Sequence, residues 1–387
     1  MLCKENVSKI FILVLIIVIG VLIFIPTGFE KHKDDIKSIR GKGKIIEVDN
    51  FQMRTRGIVK TGTQTVIVEV MNGKFKGEKV EAVNKVMGKL ELDKIFQVGD
   101  NALIVIDYNK DVISNVNVID HYRINIEGIL LLVFVTLIIL ISGWTGVKAI
   151  ISFIFTIMVI WKVLIPGFLK GVDPIILSLV LVTIITFVII FLVAGFTKKA
   201  LVAFYGSMLG IITTCILGIV FGKAFNIHGA IVPFSESLLY SGYAHLDITK
   251  IFYSGIFIAS SGAVMDVSMD ISSALSEIVN KKPDIVAREA INSGINISKA
   301  ILGTMTTTLL LAYSGGYTAM LMVFMAQGVP MINIINMTYV AGEILHTLVG
   351  SFGLITVAPF TALVGGIMFT KENNKKKSEE EISVARF

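Results

Sequence analysis

The stretch Ser261-Gly262-Ala263-Val264-Met265-Asp266-Val267-Ser268-Met269-Asp270-Ile271-Ser272-Ser273-Ala274-Leu275-Ser276-Glu277 decides how the rest of the chain is read. It leaves an apolar segment and takes on three carboxylates, Asp266, Asp270 and Glu277, before a basic turn at Asn280-Lys281-Lys282-Pro283. Apolar sequence then resumes through the hydroxyl run Gly303-Thr304-Met305-Thr306-Thr307-Thr308. Ionisable side chains at the margin of hydrocarbon are costly, and those that persist usually face a pathway, a partner or a cavity. The stretch therefore reads as one membrane helix leaving the bilayer and turning back into a second.

Working outward, composition agrees. Of 387 residues, 54% are hydrophobic and only 17% charged, against about 25% charged in ordinary soluble domains. Mean hydropathy is +0.79. This excludes a soluble globular protein and predicts a polytopic α-helical membrane protein. The net charge of +6 comes from basic residues at span ends and in the tail, so it reads as topology and lipid contact, with no nucleic-acid partner. Two cysteines, Cys3 and Cys215, make neither a disulfide framework nor a thiolate metal site. No phosphate loop, serine-nucleophile elbow or zinc-protease motif occurs. The chain is not read as an enzyme, no cofactor is called for, and any ATP use would need another polypeptide.

Residues 1–29 form an N-terminal anchor helix, uncharged from Ile10 onward. Ile25-Pro26-Thr27-Gly28-Phe29 is a poor cleavage site, which favours a retained anchor over a signal peptide. Residues 30–125 alternate in the manner of strands, as in Gln64-Thr65-Val66-Ile67-Val68-Glu69-Val70, with turns at Asn72-Gly73 and Val98-Gly99-Asp100. Five or six short strands predict a small OB-like β-barrel, extracytoplasmic, without stacking aromatics on its strands and suited to docking a protein partner.

Residues 126–370 are the helical domain. Spans are expected over 128–147, 149–165 (with Lys162 reaching the headgroups), 174–197 and 200–222, from 251 onward, and over 300–327 with a break at Gly315-Gly316. Separate helices are expected over 333–349 and 354–369, divided at Gly350-Ser351-Phe352-Gly353. A single straight helix there would exceed roughly 50 Å, too long for one crossing. The pair is either a re-entrant helix with a span or two spans. Residues 371–387 are a basic tail. Eight crossings with both termini cytoplasmic put Lys148, Lys198, Lys199, Lys281, Lys282, Arg288 and Lys299 inside. Lys170, Lys223 and Lys250 then lie outside, which follows the positive-inside rule of a bacterial cytoplasmic membrane.

Asp266, Asp270, Ser273 and Glu277, spaced i, i+4, i+7, i+11, fall on one helical stripe. Like charges at i, i+4 repel, so the stripe calls for a cation, a basic partner, a shared proton or water on that face. Thr304, Thr306 and Thr308 could complete a cation site of oxygen ligands, or simply bond back to their own helix. Glu343 and His346, at i, i+3 and flanked by Asn336, Tyr339 and Thr347, form a second polar stripe able to pass a proton or sit at an interface. His228 and His245 lack metal-ligand spacing. Ala287-Arg288-Glu289-Ala290, four residues before Gly294, is loosely similar to the coupling loop of ABC importer permeases, which keeps open a permease subunit served by a separate ATPase.

The run from Gly262 to Ala274, Ser293-Gly294-Ile295-Asn296-Ile297, Gly303 to Tyr313, Glu343-Ile344 and Gly350-Ser351-Phe352-Gly353 resemble the YibE/F-like family of bacterial multi-pass membrane proteins. The resemblance spans the chain, including an extracytoplasmic β-rich part, and implies the fold but no activity. Thr307 stands where the resemblance implies Asn, and Lys299-Ala300 where it implies an Arg-Asp pair.

The leading expectation is a transporter or permease for a small solute or cation. Its polar pathway would comprise Asp266, Asp270, Ser273, Asn292, Asn296, Thr304, Thr306, Thr308, Tyr313, Glu343 and His346, coupled to protons or cations. A second is a non-transporting interaction protein whose barrel docks a partner. A third, weaker, is a membrane enzyme using the carboxylates with a metal.

Overall fold

The structure is a computed structural model that describes residues 2–29, 37–109 and 112–384, with backbone alone for 2–6, 37 and 372–384. Residues 30–36 lie outside the described residues, as do the side chains of Cys3, Lys4 and the Lys375-Lys376-Lys377 run. The chain separates into two compact units, Glu30–Ile141, and Met1–Phe29 with Ser142–Phe387.

The first unit holds β1 (Lys37–Asp49), β2 (Met53–Arg56), β3 (Val59–Val70), β4 (Lys79–Met87), β5 (Asn101–Asn109) and β6 (Val112–His121). Alternation drives it. Gln64, Val66, Val68 and Val70 of β3 are buried, as are Ala82, Asn84 and Val86 of β4 and Ala102, Ile104 and Ile106 of β5. A half-polar pattern of period two buries one face of each strand. Strand order is β1-β5-β6-β4-β3, and β1 also pairs with β3, closing a five-stranded barrel with β2 hairpinned onto β3. This is the OB-like barrel expected. Gly43 sits where β1 changes partner from β5 to β3, and a Cβ there would run into Val68.

The barrel core contains a closed polar network around Gln64. Its amide donates to Asn50 Oδ1 (2.9 Å) and Phe96 O (3.0 Å), and its Oε1 accepts from Asn84 Nδ2 and the Phe96 N–H (3.0 Å each). Asn72-Gly73 does not make the tight hairpin turn expected. It opens the longer connection from Val70 to Lys79, because Asn72 Oδ1 is taken by the Lys42 N–H (2.7 Å) and Phe75 must reach the core.

The helices are α1 (Leu2–Phe24), α2 (Ile124–Val159), α3 (Ile165–Leu169), α4 (Pro174–Ala194), α5 (Lys198–Ala224), α6 (Ser235–Leu238) and α7 (Ile248–Lys281). Then follow α8 (Ala287–Ser314), α9 (Thr318–Ala326), α10 (Met331–Asn336) and α11 (Thr338–Val384). Among the described residues, seven helices are long and apolar enough to cross a bilayer. One of them, Ile124–Leu169, has 46 residues, about 69 Å at 1.5 Å per residue, over twice a hydrocarbon core of roughly 30 Å. It is divided at Gly143, whose backbone (φ 54, ψ −129) is not helical and suits glycine. The break expected at Lys148 thus falls five residues earlier. Lys162 donates to Ile25 O just past the end of α1 (2.8 Å), where a helix leaves carbonyls unpaired. Ile12 and Leu15 of α1 pack with Phe155, Leu181 and Val188, holding α1 against α2 and α4.

A second correction concerns the end of the chain. The helix α11 runs unbroken through Gly350-Ser351-Phe352-Gly353. These glycines do not interrupt it; they let other helices approach. A Cβ on Gly353 would overlap the Thr214 hydroxyl of α5, and one on Gly206 of α5 would overlap Thr361. Hydroxyls lock the same contact: Ser268 of α7 donates to Ala203 O (2.7 Å) and lies 2.8 Å from Thr361 Oγ1, while Ser272 donates to Lys199 O (2.7 Å).

Candidate functional site

The acidic stripe of α7 exists as spaced, but its direction differs from what a shared pathway needs. Val264, Val267, Ser268, Ile271 and Leu275 are buried against α5 and α11. Asp266 and Asp270 fall on the opposite side of the helix and are exposed. Among the described residues neither has a hydrogen bond or ion pair, and Glu277 pairs with Lys281 at 3.5 Å. Ser273 is half-buried on the same outward arc.

The polar residues of α8 are mostly spoken for. Asn292 and Asn296 are exposed, and Asn296 Oδ1 accepts from Lys299 Nζ (3.1 Å). Thr304, Thr306 and Thr308 donate to Ile301 O (3.1 Å), Leu302 O (2.9 Å) and Thr304 O (3.1 Å) of their own helix, the back-bonding expected of threonine in a helix.

Convergence occurs further along. After Ser314 the helix tightens into a 3₁₀ turn, Gly315–Tyr317, before α9 begins. Tyr313 and Tyr317, i and i+4, both face α11. Tyr317 and Glu343 line the same cleft, and the Tyr313 ring stacks on His346 with centroids 4.4 Å apart and planes at 27°. His346 Nε2 is enclosed and has no hydrogen-bond partner among the described residues. Glu343 and His346 therefore do not act as one pair: the carboxylate looks into a cleft, and the imidazole sits behind Tyr313.

That cleft is a cavity of about 240 Å³. Leu310, Tyr313, Ser314, Tyr317, Met320 and Leu321 form one wall, and Val340, Glu343, Ile344, Thr347 and Leu348 the other. A second cavity of about 250 Å³ adjoins it, lined by Thr306, Thr307, Ser351, Phe352 and Ile355 and sharing Leu310, Thr347 and Leu348. Glu343 and part of the threonine tract thus lie along one groove between α8 and α11, while Asp266 lines neither cavity. Asn336 and Tyr339 are exposed and line neither cavity.

Sequence reasoning missed Tyr317. Its signal was present in the Gly315-Gly316 interruption followed by an aromatic four residues after Tyr313. Chemically, a lone carboxylate beside a phenol in an apolar cleft can take up and release a proton or pair with a cation. No group of three or more His, Cys, Asp or Glu side chains able to hold a metal ion occurs among the described residues.

Residues 130–371 match the family described as YibE/F-like protein, and residues 38–121 match the YibE/F family N-terminal domain. No curated protein and no solved structure matches the chain.

Proposed function

The chain belongs to the YibE/F-like family, and from that premise we propose that it is a multi-pass transporter or permease whose polar pathway follows the groove between α8 and α11. The observation that carries this reading is Glu343, a carboxylate in a cleft walled by apolar side chains, beside Tyr317 at a 3₁₀ turn of the facing helix. Membrane carboxylates that survive their cost mark ion or proton pathways. Glu343 is the coupling group for a proton or cation, Tyr317 lies beside it in the same cleft, and Thr306, Thr307 and Ser351 line the groove's continuation. The outward-facing Asp266 and Asp270 are left outside the pathway. Lysine distribution favours a cytoplasmic membrane with both termini inside.

Reconstitution into liposomes tests this. With an imposed pH or cation gradient, wild type is expected to carry flux that Glu343→Gln loses by about tenfold or more, a difference of roughly 1.4 kcal/mol in the barrier. Equal flux in the two would remove the reading.

One observation favours a second role. Ile58, at the β2–β3 hairpin tip, and Met87, opposite Thr61, are 81% and 73% exposed. Such apolar side chains on a barrel suit a protein partner. A chain lacking residues 30–125 that keeps full flux and full biological activity would count against it.

A further inference from the structure

We propose that the cavity between α8, α9 and α11 is a binding site for a monovalent organic cation with an apolar body, an inference that names the substrate class of the groove and rests on the transport reading only for its physiological sense. Three features of the lining carry it.

The first is charge. Glu343 is the single ionisable acid in the lining, and no lysine or arginine lines the cavity. An anion would meet an unopposed carboxylate, and a neutral solute would bury that carboxylate without a counter-charge, which is costly in apolar surroundings.

The second is the wall. Leu310, Met320 and Ile344 supply apolar surface, while the rings of Tyr313 and Tyr317 flank the carboxylate. Aromatic faces attract weakly hydrated cations through the ring quadrupole. A strongly hydrated metal dication fits poorly, since calcium takes roughly 6–8 oxygen ligands and magnesium keeps its water.

The third is size. About 240 Å³ lies just below the range of roughly 300–1,000 Å³ typical of drug-sized pockets. That space exceeds what a proton needs and admits a small aryl or alkyl ammonium. Tyr317 lines the same cavity as Glu343, so its ring and hydroxyl meet a ligand that pairs with the carboxylate.

The test uses the full chain in lipid nanodiscs and radiolabelled benzyltrimethylammonium, with neopentylbenzene as its uncharged isostere. Wild type and the surface control Glu277→Gln are expected to bind the cation saturably and equally. Glu343→Gln should weaken binding about tenfold or more, and Tyr317→Phe about threefold, with thermal stability retained. Leu310→Trp, which fills the cavity and keeps the charge, should abolish binding. No saturable binding by wild type, equal affinity in Glu343→Gln, or equal competition by the uncharged isostere overturns the proposal. Gradient-driven flux that Glu343→Gln loses, without cation binding, overturns this site and leaves transport standing. Binding without any flux does the reverse.

Discussion

The two sides of α11 are built on different principles. Toward α5 and α7 it presents Gly353, Thr361 and Gly365, and there the helices meet at backbone distance, with Leu354, Val357 and Ala358 fully buried between them. Toward the end of α8 and α9 it presents Glu343, Thr347 and Leu348, and there a groove stays open, although nearer the start of α8 Gly294 and Gly366 bring these two helices together as well. Small residues permit close approach in a membrane, where packing replaces the hydrophobic drive. Along the groove larger side chains hold the partners apart. One helix thus serves as scaffold on one face and as site wall on the other.

The contrast can be broken first on the tight side. Gly206→Ala places a methyl against the Thr361 and Ser268 hydroxyls, and overpacking of this kind costs about 3 kcal/mol. Thermal unfolding in detergent should show the loss, and an unchanged midpoint would mean that the interface is looser than described. On the open side, Glu343→Gln should cut flux while leaving that midpoint close to wild type. A collapse of the fold instead would make the carboxylate structural.

The same substitution should change sign between the regions. Gly303 in α8 has open space where a Cβ would stand, so Gly303→Ala should stabilise by up to about 1 kcal/mol through helix propensity. Destabilisation there would reveal a neighbour that the groove does not contain.

The smallest effect lies at the membrane edge. Asp173 caps α4 and accepts from Lys250 Nζ at 2.6 Å, and that ammonium holds its carboxyl below the usual carboxylate range. A depressed folded pKa gives stability that is present above the unfolded value, about 3.9, and is lost as pH falls through the folded one. Asp173→Asn keeps a competent cap and should cost about 0.5 kcal/mol at pH 7, discounted for exposure. The difference should shrink as pH falls through the folded value, where the carboxyl takes up its proton. A difference independent of pH would point to the cap and not the ion pair.

Much of this architecture was legible in the residues. Alternation around Gln64 to Val70 announced the barrel, whereas the break expected at Gly315-Gly316 is only a 3₁₀ turn within continuous helical backbone. Glycine was also the source of the main error. In one dimension Gly350 and Gly353 look like Gly315 and Gly316, and only the partner across the gap separates them: Thr214 stands against Gly353, whereas Gly315 faces nothing. The acidic stripe was read correctly as a stripe, but spacing alone does not say which way it points. Val264, Val267 and Ile271 turn the buried face of α7 to the side opposite Asp266. Tyr317 shares a cleft with a residue 26 positions away, a relation that local pattern does not encode, so the groove emerged only with the packing of α8 on α11.

The central claim is that water reaches the groove within the membrane and not the glycine-packed face. In a background with Cys3 and Cys215 replaced by Ser, single substitutions Thr347→Cys and Ser268→Cys would be exposed to a membrane-impermeant, charged thiol reagent in proteoliposomes. The account predicts rapid labelling at 347 and protection at 268. Protection at both, or labelling at 268 alone, would contradict it.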